Sequence, residues 1–216
     1  MHIRQGYSSS NARFPSKALT AFVLLYMLVF SFFALQQGNT EFLMYSLVMV
    51  IFIVGTVGIH LRVRFSSTAL WLLAIWGFMH MAGGTIGIDP SLTDAFRAAA
   101  SEADRPESAV LYSLRYLPNL PRYDQIVHTF GFFSAAVACY EALRVLLDAR
   151  ATFAAACAAV LMSIGLGAIN EIVEFVAVLT IPDTNVGGYT NTAWDLVCNT
   201  IGASTAGLWM WARRDP

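Results

Sequence analysis

Eight polar side chains interrupt otherwise apolar stretches of this 216-residue chain: His80, Asp124, His128, Asn170, Glu171, Glu174, Asp195 and Asn199. Asp124 and His128 are spaced i,i+4, as are Asn170 and Glu174, and Asp195 and Asn199; Glu171 and Glu174 are spaced i,i+3. On a helix each such pair shares a face. Imidazole beside carboxylate suits a divalent Zn, Fe or Mn ion. The candidate ligands are therefore His80, Asp124, His128, Glu171, Glu174 and Asp195, with Asn170 and Asn199 placed to orient them. A metal held there could activate water, with Glu171 or Glu174 as the catalytic general base. The spacing matches neither His-Glu-x-x-His nor the Glu-x-x-His pairs of di-iron bundles.

The elements that carry these groups are apolar. The chain is 57% hydrophobic and 12% charged, against about 25% charged for a soluble domain. The excess comes in blocks, as in a polytopic membrane protein. Six helices are expected, at about Ala18–Leu35, Phe42–Leu61, Thr68–Ile88, Tyr123–Leu147, Thr152–Ile181 and Thr192–Trp211. The first is too long for a signal-peptide core and has no cleavage pattern after it. The chain divides into a cytoplasmic tail over 1–17, one six-helix transmembrane domain over 18–212, and a cytoplasmic tail over 213–216. The fifth block exceeds the roughly 20 residues a span needs, so it must tilt or protrude.

The long loop, 89–122, holds five acidic residues and four arginines. Within it, Ser91–Asp94 resembles a helix-start capping box, and Val110–Leu117 alternates in a way that suits a short interfacial helix. The turn from Asp183 to Gly188 resembles a calcium loop only faintly, since its twelfth position would be Trp194; an ordinary glycine-permitted turn is expected. Cys139, Cys157 and Cys198 all fall in apolar runs and read as buried free thiols. The five tryptophans read mostly as lipid-facing or interfacial. Gly83-x-x-x-Gly87 and Ala203-x-x-x-Gly207 offer small faces for close helix contact.

Nine of the 13 Lys and Arg residues lie in the termini and the even-numbered turns, which the positive-inside rule makes cytoplasmic. Both termini are then inside, and the loop over 89–122 is outside. His2 and His60 fall on the cytoplasmic side. At about 1.5 Å per helical residue, His80 lies roughly 12 Å from the outer helix end, His128 roughly 8 Å and Asn199 roughly 10 Å. The polar groups of four helices thus fall at one level.

A charge at mid-bilayer costs about 2.5–3.5 kcal/mol even on the insertion scale. Four lipid-facing carboxylates would cost on the order of 10 kcal/mol, comparable to a domain's whole stability. They must face the bundle interior, where they are paired, protonated, hydrated or metal-bound. A purely structural polar network accounts for the same residues as a metal or proton-handling site does, and both remain open here.

Four strings occur in order: His80-Met-Ala-Gly-Gly, Arg122-Tyr-Asp-Gln-Ile-Val-His128, Asn170-Glu-Ile-Val-Glu-Phe175, and Thr192-Ala-Trp-Asp195 with Asn199 and Gly202-Ala203. In these the chain resembles the YjdF-type bacterial inner-membrane proteins over about 68–208, and it is distantly similar to VanZ-like proteins. The resemblance implies a small, functionally uncharacterised, multi-pass protein of the bacterial inner membrane. VanZ-like proteins are linked to teicoplanin resistance, and no reaction follows from that. Gly83-Gly84 is followed by Thr85-Ile86, where the family pattern has an aromatic-containing segment.

Three functions are compatible with the sequence. One is metal-assisted hydrolysis or transfer on a lipid or envelope precursor at an outward-facing site. Another is transport of an ion or small molecule. The third is service as a non-catalytic subunit of a larger membrane complex. The lipid bilayer is the expected surrounding in all three, and a net charge of −1 gives no basic surface for nucleic acid.

Overall fold

The computed structural model describes residues 14–182 and 184–213. His2, Arg4 and Arg13 of the N-terminal tail, Asp183 of the glycine turn, and residues 214–216 with Arg214 lie outside the described residues. Six long helices form: α1 (Lys17–Gln36), α2 (Thr40–Val63), α3 (Ser67–Thr85), and, past a five-residue helix α4 (Asp94–Ala98), α5 (Tyr123–Leu146), α6 (Phe153–Thr180) and α7 (Tyr189–Ala212). Each long helix lies within a few residues of the apolar block that predicts it.

Local chemistry sets the boundaries. Ser16, Asn39, Ser66 and Thr152 each accept a hydrogen bond from the backbone N–H three residues on, opening α1, α2, α3 and α6. The third helix stops three residues short of the expected Ile88. Its last carbonyls are taken from outside, with Gln37 Nε2 donating to Thr85 O and Asn39 Nδ2 donating to Gly84 O, each at 3.0 Å. Gly87–Ile88 (β1) then pairs antiparallel with Ala109–Val110 (β2).

The long loop corrects two further expectations. Of the short helix expected over Val110–Leu117, only a single 3-10 turn at Leu111–Ser113 forms. Leu111 N–H donates to Ile86 O at 2.9 Å and Arg115 N–H donates to Leu92 O at 3.0 Å, so the backbone pairs with distant segments on either side of one local turn, in which Leu114 N–H donates to Leu111 O at 3.0 Å. The capping residue of α4 is Thr93, whose hydroxyl accepts from Phe96 N–H, and not Ser91. Asp89 instead accepts from Ser91 N–H at 2.9 Å, and that contact holds its carboxyl below the ordinary aspartate range.

Helices α5, α6 and α7 pack on one another most closely, while α3 joins α1 and α2 to them through α5. One core cluster lies between α5, α6 and α7 and is dominated by small residues, including Ala136, Ala156, Ala159, Ala203 and Ala206. Helix backbones can therefore approach closely. At Gly202 an added Cβ would meet the Thr129 carbonyl, and at Gly207 it would meet Val160. The Ala203–Gly207 face is thus a real helix contact. The Gly83–Gly87 pair is not one, because Gly83 makes room for the Tyr112 ring and Gly87 lies in β1 beyond the helix end.

The second core cluster joins α1, α2 and α3 through Tyr26, Phe30, Phe42, Tyr45 and Met81. Leu24, Leu28, Leu47, Ile51 and Val54 project outward from α1 and α2, the pattern of lipid-facing surface. Among the described residues, α1, α2, α5 and α6 are long and apolar enough to cross a membrane. Helices α3 and α7 span 19 and 24 residues but dilute their apolar runs with His80, Asn191, Asp195 and Asn199. All three cysteines are free thiols; Cys139 and Cys198 are buried, and Cys157 is half-buried. Trp194 and Trp211 are exposed as expected, whereas Trp76 stacks on His80 inside the bundle.

Two tethers bind the ends of the bundle. Near the α5 C-terminus, Glu141 accepts hydrogen bonds from the Ser66 backbone N–H at 2.7 Å and from the Ser66 hydroxyl. At the other end, the buried Glu41 accepts from both the backbone N–H and the side-chain amide of Asn185, at 2.8 and 3.1 Å. The sequence suggests only a polar turn around Glu41; the fold buries it to 3% exposure.

Candidate functional site

The polar pairs on α5, α6 and α7 converge on His128, which is 6% exposed. Asp124 lies one turn earlier on the same face, with Oδ1 3.4 Å from His128 Nε2. From α6, Glu174 Oε1 lies 3.8 Å from Nε2 and Glu171 Oε1 lies 3.7 Å from Nδ1. From α7, Asn199 Oδ1 lies 2.9 Å from Nδ1. An amide oxygen can only accept, so this contact requires the hydrogen on Nδ1. Nε2 faces Asp124 and Glu174.

Two groups of potential ligand atoms lie within 4.8 Å of one another: Asp124, His128 and Asp195, and His128, Glu171 and Glu174. They share the imidazole. Asn170 Nδ2 donates to Glu174 Oε1 at 2.8 Å, which orients that carboxylate. Several buried atoms in the centre have no hydrogen-bond partner among the described residues: both Glu171 oxygens, Asp195 Oδ1 and Asn199 Nδ2. Glu171 is 8% exposed and Asp195 1%. Buried polar atoms without partners are uncommon and costly. A cation or ordered water held between them would satisfy the oxygens.

His80 stands apart from both groups. Its ring stacks on Trp76 with centroids 5.7 Å apart and is enclosed by Phe42, Tyr45 and Tyr112. Its Nδ1 is hydrogen-bonded with the Tyr112 hydroxyl at 2.5 Å. Burial, with the Asp124 charge adding to it, holds the Tyr112 phenol well above the ordinary tyrosine range, so it remains a neutral hydroxyl able to donate. A cavity of about 30 Å³ between Tyr45, Trp76, His80, Asn170 and Glu174 links this aromatic enclosure to the centre. That is room for about one water.

Sequence spacing alone misses Asn191. Its amide donates to Asp195 Oδ2 at 2.6 Å and to Asp124 Oδ2 at 3.3 Å, and its oxygen accepts from Arg122 Nη1 at 3.0 Å. Arg122 Nε also donates to Asp94 Oδ2 at 3.1 Å. Asn191 lies four residues before Asp195, so the i,i+4 spacing that links Asp195 to Asn199 extends one turn further back. Through Asn191 and Arg122 the buried centre is wired to the long loop.

Apolar helices turned toward a bilayer, enclosing a His/carboxylate cluster among three of them, define a multi-pass α-helical membrane protein. The chain belongs to the family described as predicted membrane protein (DUF2238), whose model matches residues 17–216. No curated protein and no solved structure matches it.

Proposed function

We propose that this chain is a six-span protein of the bacterial inner membrane, with both termini cytoplasmic, whose His128 centre binds one divalent transition metal ion and hydrolyses or transfers a group on a lipid or envelope precursor. The orientation of His128 carries this reading. Asn199 occupies Nδ1 and leaves Nε2 facing Asp124 and Glu174, the arrangement in which a hydrogen-bonded imidazole serves as a metal ligand. Asp195 completes the group with Asp124 and His128, and Glu171, whose oxygens accept no hydrogen bond, is suited to take a proton from a metal-activated water. Asn170 and Asn199 position their neighbours. His80 borders the one-water cavity as an outlying ligand or orienting group. The similarity to YjdF-type and VanZ-like proteins supports the bacterial location and supplies no reaction.

Elemental analysis of the purified chain tests the metal. Near-stoichiometric Zn, Fe or Mn is expected, falling at least about tenfold in His128→Ala and more modestly in Glu171→Gln. Trace metal unchanged by His128→Ala overturns the reading.

A second reading is service as a non-catalytic subunit, in which part of the apolar face of α1 and α2 would meet a partner helix instead of lipid. A stable monomer in mild detergent counts against it. Transport requires a polar series in the other half of the bundle, where the α5–α7 core is alanine-rich; substrate-dependent flux in proteoliposomes would be needed to revive it.

A further inference from the structure

A second feature lies on a different face of α5 and α7 from His128 and Asn199. It is a groove of about 950 Å³ with Arg115 and Gln125 at its loop end and Ile126, Phe130, Trp194 and Ile201 along its walls. From Trp194 to Thr205 it runs about 16 Å along α7, at about 1.5 Å per residue. The close contact of Gly202 with the α5 backbone at Thr129 forms its floor. Large side chains wall the groove, and the small Gly202 and Thr205 lie along α7 between them.

Arg115, which lines the loop end of the groove, belongs to an ion-pair cluster. Asp94 Oδ2 lies 2.7 Å from Arg115 Nε and 3.1 Å from Arg122 Nε, and Asp94 Oδ1 lies 3.7 Å from Arg97 Nη1. Three guanidinium groups therefore share one carboxylate, and Arg122 is also bonded to Asn191, which holds Asp124. The Arg115 side chain is held in place, its Nη1 donating to Pro118 O and Leu120 O at 3.1 Å each. Its Nη2 is not used in these contacts. A planar guanidinium fixed beside an apolar channel is complementary to a phosphate ester carrying a hydrocarbon tail.

We infer that the α5–α7 groove seats one acyl chain of an anionic phospholipid, with the lipid phosphate held at the Asp94–Arg97–Arg115–Arg122 cluster. The groove lies on a different face from His128 and meets that centre through the Arg122–Asn191 contact, and its occupancy does not require metal.

The test uses the full chain in mild detergent, titrated with phosphatidylglycerol or phosphatidylcholine bearing brominated acyl chains, with tryptophan fluorescence quenching and native mass spectrometry as readouts. Phosphatidylglycerol is expected to be retained at one per chain, at least about tenfold more tightly than phosphatidylcholine. Ile201→Trp fills the groove and abolishes retention, whereas Val197→Trp, an exposed position outside the groove, leaves it unchanged. Should Ile201→Trp not fold, Ile126→Trp blocks the same channel. Glu171→Gln retains the lipid, which separates this result from the fate of the metal reading. Equal retention of the two lipids, retention in the groove-filled variant, or full displacement by inorganic phosphate alone overturns the inference.

Discussion

Asn199 decides which nitrogen of His128 is available. Its side-chain oxygen binds Nδ1, and its own amide nitrogen lies 2.9 Å from where a Cβ on Gly167 would sit. Two substitutions separate these roles. Asn199→Leu removes the acceptor and frees the imidazole to adopt either tautomer, so metal affinity measured by chelator competition is expected to fall about 10–100-fold. Gly167→Ala leaves every polar group in place but pushes Asn199, and a smaller loss in the same assay is expected. An equal loss from both would mean that packing at α6, and not the hydrogen bond, governs the site. Much of this neighbourhood is legible in the sequence. The i,i+4 pairs name Asp124, His128, Asn170, Glu174, Asp195 and Asn199, because helical spacing converts directly into a shared face. Tyr112 and Arg122 are not legible in that way, since their partners His80 and Asp94 are brought to them by a loop whose path no periodicity encodes.

Helix pairs succeed or fail on their small residues. The α5–α7 crossing depends on Gly202, where any side chain would meet the Thr129 carbonyl. Gly202→Val is expected to destabilise the protein by about 1–3 kcal/mol through overpacking, read as a lower melting temperature in detergent. Gly188→Ala, with open space around it, should leave the melting temperature within error. The helices themselves are visible in the sequence because long apolar blocks dominate every other signal. The end of α3 is not, since Gln37 and Asn39 arrive from a different turn to take its carbonyls. The loop carries the least local information: Leu111, Leu114 and Leu117 have helical spacing, yet only one 3-10 turn forms there, because the backbone on either side of it pairs with Ile86 and Leu92 in distant segments. Asp94→Asn leaves three arginines without their shared carboxylate, and faster hydrogen exchange over 90–115 than in the unsubstituted chain is expected. Unchanged exchange would show that backbone pairing alone holds the loop.

At the scale of the molecule, orientation is the quantity that basic residues predict and that geometry alone does not supply. Two single-cysteine substitutions in a background lacking Cys139, Cys157 and Cys198 read it out. Asp104→Cys in the long loop is expected to react with an impermeant maleimide on intact spheroplasts, and Asp148→Cys between α5 and α6 only after permeabilisation. The reverse pattern would invert the topology while leaving the His128 centre intact.

The tether between Glu41 and Asn185 joins the start of α2 to the linker before α7, across 144 residues of chain. Ribosomes add roughly 5–20 residues per second, so the carboxylate reaches the bilayer on the order of ten seconds before its partner is made. Through that interval α1 and α2 are already membrane-borne while their polar end lacks the group that will satisfy it. Biogenesis must therefore keep Glu41 protonated, hydrated or sheltered at the insertion machinery until the α6–α7 linker arrives, and a later segment locks an earlier one.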